Sequence, residues 1–233
     1  MAVGGPVVGV LAFPPLFSRN NMSKKTAILV DGGWMALELS KLLHVRYATA
    51  DQVYRNAKSV LLPDEEELYR LFYYDASPYD GIQQNPISGK TVDFSKTKSY
   101  GGRKRFFRDL NAKPQVALRI GTVNFRGWNV LESFQQKLLS GTAVASSITE
   151  RDIKPDLTQK GVDMRIGIDI ASLVFKHIVD RIILFCGDTD MVPAMKLARV
   201  EGVQIVVVQI GTSPLSEKLI EDSDFLRTLT PMP

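Results

Sequence analysis

The stretch RIILFCGDTDMVPAMKLARVEGVQIVVVQ, residues 181–209, decides how this chain folds. An apolar run, a helical pattern and a second apolar run predict a strand, a helix and a parallel strand. Gly202 stands where the helix should end, as expected of a C-terminal cap. Packing alone does not explain Asp188 and Asp190, which stand one residue apart directly after the first strand. These two carboxylates therefore raise the question of a functional site.

The same alternation of short apolar runs and helical patterns extends over the rest of the chain. The predicted strands are residues 26–30, 68–74, 115–121, 181–186 and 203–208, with 225–229 as a further edge strand. This pattern predicts an α/β protein, a three-layer α/β/α sandwich with a mostly parallel sheet. Residues 77–113 and 141–160 are richer in Gly, Pro, Ser and Thr, and we expect loops there, over the active face.

Composition predicts a single domain spanning residues 22–233, with a basic insertion around 77–113. Residues 1–21 are apolar but lack the basic start and cleavage site of a signal peptide, so we interpret them as a tail or an upstream start. No apolar run approaches the roughly 20 residues of a membrane span. The single cysteine, Cys186, and the absence of a CxxC pattern favour neither disulfides nor zinc. A reducing, cytoplasmic location is expected.

Acidic residues follow two predicted strands and begin one predicted helix. Asp31 ends the run ILVD, Asp188 and Asp190 follow the strand at 181–186, and Asp163 stands in KGVDMRIG. Ligands of parallel sheets bind beyond the carboxyl ends of the strands. Four carboxylates meeting there would repel one another unless a cation neutralised them, and oxygen ligands select Mg²⁺ or Mn²⁺. The sequence therefore predicts a divalent metal site.

Each of these carboxylates also has a purely structural interpretation. Asp31 could be a turn residue, Asp163 and Asp190 could be helix N-caps, and Asp188 could serve a tight Gly-Asp turn, because aspartate is common in such places. Their joint placement at two strand ends and one helix start favours the metal hypothesis. We interpret Asp75 as a turn residue. Asp169, six residues after Asp163, lies too far round its helix to share the same ion.

Positive charge is concentrated in residues 90–119. This block has nine Lys and Arg against two Asp, a net +7, so the rest of the chain carries −3 of the total +4. Aromatic residues and glycines are interleaved with the cations, as in surfaces that bind single-stranded nucleic acid. The predicted substrate-binding residues are Arg103, Lys104, Arg105 and Arg108. The alternative is a solvated loop followed by an ordinary amphipathic helix, RKRFFRDL.

The segments AILVDGGW, KGVDMRIGIDIASL and the opening stretch, in this order, closely resemble the NYN domain, a branch of the PIN-like metal-dependent ribonucleases. The resemblance runs from about residue 24 to residue 229, and the motif GD-[ST]-D followed by a helix is its most specific part. It implies a Mg²⁺ or Mn²⁺ cofactor. The positions that match the family's catalytic and metal-binding ones are Asp31, Asp163, Asp188 and Asp190, with Thr189 at its small hydroxyl position.

The leading hypothesis is a Mg²⁺- or Mn²⁺-dependent endoribonuclease that acts on single-stranded RNA, without membrane association and with homodimerisation as one option. One alternative is an RNA-binding module with weak or lost catalysis. It is favoured by Trp34, because many family members have Asn three residues after the first Asp. Another alternative is a HAD-like phosphatase, but its DxD pair would follow the first strand, where Asp31 is followed by Gly32 and Gly33.

Overall fold

The structure, a computed structural model, describes residues 23–230, so the predicted tail at 1–21 lies outside the described residues. The strands and helices are, in chain order, β1 (Lys24–Asp31), α1 (Gly32–Leu42), α2 (Ala50–Ser59), β2 (Glu66–Ala76), β3 (Ile82–Gln84), β4 (Thr91–Asp93), α3 (Lys98–Asn111), β5 (Val116–Val130), α4 (Glu132–Leu139), β6 (Ile153–Lys160), α5 (Val162–Phe175), β7 (Arg181–Phe185), α6 (Val192–Val200), β8 (Gln204–Ile210), α7 (Glu217–Glu221) and β9 (Phe225–Leu229). Short 3-10 helices span Phe94–Lys96, Ala145–Ser147 and Thr189–Met191.

The central sheet has the strand order β6-β5-β2-β1-β7-β8-β9. All of its pairings are parallel except that of β5 with β6. Strands β1, β7 and β8 are apolar along most of their length, as expected of parallel strands that are covered on both faces. Each strand predicted from the sequence is present, and the mostly parallel α/β sheet is confirmed.

Two layers of helices cover the sheet. Helices α1, α2 and α3 pack on one face, together with Tyr73 of β2 and Phe185 of β7. Helices α5, α6 and α7 pack on the other, together with Tyr74 and Leu184. Neighbouring residues of one strand thus enter opposite cores, because side chains alternate across a sheet. This is the predicted three-layer α/β/α sandwich.

The order of the strands reverses between β1 and β7. From β1 the chain builds outward through β2 and β5 to β6, and it then returns to the other side of β1 to form β7, β8 and β9. Adjacent parallel strands that are connected in opposite directions leave a crevice at their carboxyl ends, where α/β proteins bind ligands. In this chain the crevice lies beyond the pair Val30 and Phe185, which are partners in the sheet.

Two regions predicted to be loops are more ordered than expected. Residues 153–160 form β6, which pairs with the second half of β5 from Thr122↔Lys160 to Val130↔Ile153. The sequence missed this pairing because most side chains of β6 are exposed or half-buried and give no clear apolar pattern. Residues 98–111 form α3, a helix of the layered core that connects β2 to β5. The segment added to this core is therefore residues 77–97, which is shorter than the predicted insertion around 77–113.

A small hairpin, β3–β4, lies in this extra segment and is held by aromatic rings. Tyr79 stacks on Phe125 of β5 at 5.7 Å between ring centroids, and Phe94 lies 6.4 Å from Trp128. The indole N–H of Trp128 donates to the Gln84 carbonyl at 3.1 Å. None of the helices between residues 23 and 230 is long and apolar enough to cross a membrane.

Candidate active site

Asp31 is the last residue of β1 and caps helix α1. Its Oδ1 accepts hydrogen bonds from the backbone N–H groups of Gly33 at 3.0 Å and Trp34 at 3.2 Å. The structural role of Asp31 is therefore a helix cap and not the simple turn that was its alternative, and the cap occupies one oxygen. Within residues 23–230 no donor reaches Oδ2, which leaves this half-buried carboxylate able to bind a ligand.

Asp188 and Asp190 lie beyond the carboxyl end of β7, the strand next to β1. Asp188 Oδ1 accepts from the Asp190 backbone N–H at 2.9 Å and caps the short 3-10 helix at 189–191. The side chains of Asp188 and Asp190 are exposed, and Thr189 between them is half-buried. The turn thus presents two carboxylates and one hydroxyl at the predicted edge of the sheet.

Asp163 reaches the same region from helix α5. The N-cap of α5 is Gly161, whose φ of 74° lies in the left-handed region that favours glycine. Asp163 stands in the first turn, so the N-cap alternative is wrong for this residue. Its side chain is exposed. Carboxylates are favourable in a first turn because the N–H groups there carry partial positive charge.

The carboxylates affect one another's protonation. Burial raises the pKa of Asp31, and the charges of Asp163 and Asp188 raise it too, against the backbone hydrogen bonds from Trp34 and Gly33. The pKa of Asp163 is raised by burial and by the charges of Asp188 and Asp190. Beneath them, burial raises the pKa of the Cys186 thiol to about 12. The fold therefore brings the predicted carboxylates within electrostatic range of one another.

No cation of the described chain neutralises this group. Between residues 23 and 230, no Lys or Arg forms an ion pair with any of the four predicted metal-binding aspartates. Every buried carboxylate elsewhere has such a partner. These pairs are Glu38 with Lys41, Glu66 with Arg181 and Arg227, Asp75 with Arg103, and Asp169 with Arg119.

The donor set fits a hard divalent cation that retains bound water. In the part of the chain from 23 to 230, no three acidic, His or Cys side chains are close enough to form a preformed metal cage. Mg²⁺ does not require one, because it commonly binds one or two carboxylates and keeps several waters. The free Oδ2 atoms of Asp31 and Asp188 and the carboxylates of Asp163 and Asp190 supply oxygen ligands of this kind.

Asp75 and Arg103 border the site, and the sequence did not assign them this role. Asp75 is buried in β2, one residue beyond Tyr74, the register partner of Asp31, and it forms an ion pair with Arg103 of α3. The guanidinium also lies over the ring of Phe107, 4.9 Å from its centroid. Asp75 is therefore not a simple turn residue. Arg103, which was predicted to bind substrate, already forms an ion pair with Asp75.

The other predicted substrate-binding residues are exposed on α3. Lys104 and Arg105 have no ion pair within residues 23–230, whereas Arg108 pairs with its neighbour Asp109 at 2.9 Å. Lys104 lies over the Tyr100 ring at 5.9 Å. Two of the four predicted cations are thus free to bind a phosphate.

Asp169 belongs to a different network, on the core-facing side of α5. It accepts hydrogen bonds from the Tyr74 hydroxyl at 2.9 Å and from Arg119 Nε at 2.6 Å. These contacts fasten α5 to β2 and β5, and they give Asp169 a cation of its own. The charge of Asp169 also contributes to the raised pKa of Tyr74, whose largest cause is burial.

Comparisons with known proteins were made at three levels: curated proteins, solved structures and family models. A comparison with curated proteins gives no match. Among solved structures, the crystal structure of a protein of unknown function from Vibrio parahaemolyticus is similar, with 16% identity and a TM-score of 0.47 over 89% of this chain and 94% of that one. The family model of the NYN domain matches residues 104–229. This range includes Asp163, Asp188, Thr189 and Asp190 and excludes β1 with Asp31. The chain belongs to the NYN domain family, whose PIN-like fold and nuclease-type activity on RNA it is expected to share.

Proposed function

We propose that this protein is a Mg²⁺- or Mn²⁺-dependent endoribonuclease that hydrolyses phosphodiester bonds of single-stranded RNA. One observation carries the proposal: carboxylates from β1, from the loop after β7 and from α5 come within electrostatic range of one another at the crevice between β1 and β7, the switch point of the strand order. No Lys or Arg of residues 23–230 forms an ion pair with them. A site that is left negative at the ligand-binding edge of a parallel sheet is suited to a divalent ion. Membership of the NYN domain family agrees with this chemistry.

The proposed metal-binding residues are Asp31, Asp163, Asp188 and Asp190. A bound divalent ion supplies an activated water and stabilises negative charge on a phosphate oxygen. The chain's own residues orient the ligands. The Gly33 and Trp34 N–H groups hold Asp31 Oδ1, and the Asp190 N–H holds Asp188 Oδ1. Among residues 23–230 no donor occupies the Oδ2 atom of either residue. The proposed role of Thr189, between the two aspartates, is a hydrogen bond to the substrate.

Helix α3 is the proposed phosphate-binding element. The ion pair of Arg103 with Asp75 holds α3 against the carboxyl end of β2, next to β1. Exposed Lys104 and Arg105, the next two residues of α3, can then neutralise phosphates that flank the cleaved bond. Such contacts position RNA without reading its sequence.

The decisive experiment is a cleavage assay on a single-stranded RNA oligomer in Mn²⁺, in Mg²⁺ and in EDTA. We expect metal-dependent cleavage that Asp188→Asn lowers by more than the roughly 10- to 100-fold cost of losing an outer partner of a metal ligand. Asp64→Asn is the matched control, since Asp64 is exposed and lies before β2, at the opposite end of the sheet. It should cleave as the wild type does.

Equal activity of the Asp188→Asn and wild-type proteins would mean that the cleavage comes from a contaminant or from another site. A folded protein that binds Mn²⁺ and RNA but cuts no better than Asp188→Asn would be an RNA-binding module. A loss of cleavage in Asp188→Asn can be assigned to the carboxylates between β1 and β7 only if Asp64→Asn still cleaves RNA in the presence of metal.

The phosphate contacts have their own test in the salt dependence of RNA binding. Replacing Lys104 and Arg105 together by Ala should weaken binding of all sequences and reduce the salt slope by about 1.4, at roughly 0.7 for each single-strand phosphate contact. The control is Lys24→Ala with Lys176→Ala, two cations without ion pairs near the amino end of the sheet. An unchanged slope in the Lys104 and Arg105 variant would make α3 a solvated helix.

Three further expectations stay predictions. They are the cytoplasmic location, homodimerisation, and the organisation of the chain as one domain from residue 22 to 233 with a separate segment before it. Size measurement in solution tests the second. A comparison of melting temperatures for the full chain and a chain that starts at Met22 tests the third.

A further inference from the structure

The side chain of Trp34 lies across the crevice between β1 and β7. Its backbone N–H is fixed by Asp31 at 3.2 Å, at the start of α1. Its indole reaches to the loop after β7, where a Cβ at Gly187 would lie 2.3 Å from Nε1 and 2.7 Å from Cδ1. The ring therefore rests on the backbone of Gly187, between the strand ends that present Asp31 and Asp188.

Only part of the Trp34 indole makes contacts within the fold. It packs against the core beneath α1 but remains half-buried, and no group in residues 23–230 accepts a hydrogen bond from Nε1. Trp128 is a useful contrast, because its N–H donates to Gln84 and its ring lies among Phe94 and Phe125. Buried tryptophans usually satisfy their N–H group in this way. Trp34 instead leaves both a donor and part of an aromatic surface open.

The position of this open surface restricts what it can bind. The neighbouring edge carries Asp31, Asp163 and Asp188, and no Lys or Arg of residues 23–230 forms an ion pair with them, so this edge by itself repels an anion. An uncharged aromatic ring has no such penalty. Stacking on an exposed indole is the usual way in which proteins hold an unpaired base, and it tolerates any base.

We propose that Trp34 is the stacking platform for a nucleobase next to the phosphate held at the switch point. This inference rests on the proposed function, because it takes RNA as the substrate. It adds a substrate requirement that the carboxylates do not impose. A base can stack on Trp34 only when it is not paired and stacked within a duplex, so the site selects single-stranded or looped RNA.

The first test uses the fluorescence of Trp34 in EDTA, where no cleavage can occur. Trp128→Phe leaves Trp34 as the only tryptophan of the chain, and Trp34→Phe leaves only Trp128. On titration with a twelve-residue oligouridylate, Trp128→Phe should show saturable quenching and Trp34→Phe should show none. The same titration with an oligomer that lacks all bases should quench neither variant.

The second test measures affinity for the same two oligomers. Trp34→Ala should weaken oligouridylate binding about 5- to 150-fold, which is the usual range for one stacked base. It should leave binding of the baseless oligomer unchanged, and Trp34→Phe should recover most of the lost affinity. Thermal melting of each variant shows whether the loss of indole packing has altered the fold.

The results separate this inference from the proposed function. Equal weakening for both oligomers, or quenching by the baseless one, would make Trp34 a structural residue and overturn the inference while RNA binding stands. No RNA binding by the wild type either in EDTA or in Mn²⁺ would overturn both. If Trp34→Ala melts early, the Trp34→Phe and Trp128→Phe titrations still decide, because both variants retain an aromatic ring at the substituted position.

Discussion

Two places in the central sheet treat acidic side chains in opposite ways: the amino end of β2, and the crevice beyond the carboxyl ends of β1 and β7. At the amino end, Glu66 of β2 is buried and accepts hydrogen bonds from Arg181 and from Arg227, the latter at 2.7 and 2.9 Å. In the crevice, Asp31 lies within electrostatic range of Asp188, and neither residue forms an ion pair with a Lys or Arg of residues 23–230. The negative charge of Glu66 is thus neutralised by two arginines, whereas the negative charges of Asp31 and Asp188 have no cationic partner in the described chain.

The difference separates carboxylates that already have a cation within the described chain from carboxylates that can accept a ligand. A buried charge is tolerated only when it is paired and hydrogen-bonded, and Glu66 meets that condition. Burial and, after it, the charges of neighbouring aspartates raise the pKa values of Asp31 and Asp163, so their ionised forms are disfavoured in the folded chain. A ligand from outside the chain is the simplest compensation. Asp75 and Asp169, paired with Arg103 and Arg119, belong with Glu66.

The largest loss of stability should follow from breaking the buried ion pairs of Glu66. Glu66→Gln leaves Arg181, which is 4% exposed, beside an uncharged amide. Loss of one partner of a buried pair costs about 3–5 kcal/mol, and a domain of this size should melt roughly 6–20 °C lower. Glu67→Gln, at the exposed neighbouring position, should change little. Similar melting temperatures for both variants would remove the contrast between the two places.

The pH dependence of that loss sharpens the comparison. Burial of Glu66 raises its pKa, but the hydrogen bonds from Arg227 and Arg181 outweigh this and leave the pKa below its ordinary 4.5. A depressed carboxyl pKa stabilises the folded state above the unfolded value and loses that effect as the pH falls through the folded value. The free energy gap between wild type and Glu66→Gln, from urea unfolding, should be full at pH 7 and shrink below about pH 4.5.

The smallest change in stability should follow from substituting Asp31, which has no ion pair within residues 23–230. Asp31→Asn keeps a capping oxygen and removes a repelled charge, so without metal its free energy of unfolding should stay within about 0.5 kcal/mol or rise. Mn²⁺ should stabilise the wild type by about 2.7 kcal/mol at a hundred times its Kd and should stabilise the variant far less.

Thermal melting with and without Mn²⁺, alongside calorimetric titration, makes this measurement. Asp64→Asn serves as the control and should respond to Mn²⁺ as the wild type does. Equal Mn²⁺ stabilisation of Asp31→Asn would show that Asp31 is a helix cap alone. A large loss of stability without metal would place Asp31 with Glu66 among the structural carboxylates.

The sequence by itself determined the layers and the family. Strands and crossover helices were predicted because local apolar periodicity follows directly from which faces are buried. The aspartates stood out because they follow strands in a short motif, and the NYN domain resemblance rested on those same residues, a membership that the family match over 104–229 confirms. Their convergence was inferred from the general rule for parallel sheets.

Only the tertiary structure decided which charges are already satisfied. The partners of Arg103, Arg119 and Arg227 lie 28, 50 and 161 residues away in sequence, and no local pattern encodes such pairs. The same holds for β6, whose pairing with β5 is set by the path of the chain rather than by its own apolar residues. It also holds for the indole of Trp34 on Gly187, since that contact exists because β1 and β7 are neighbours in the sheet.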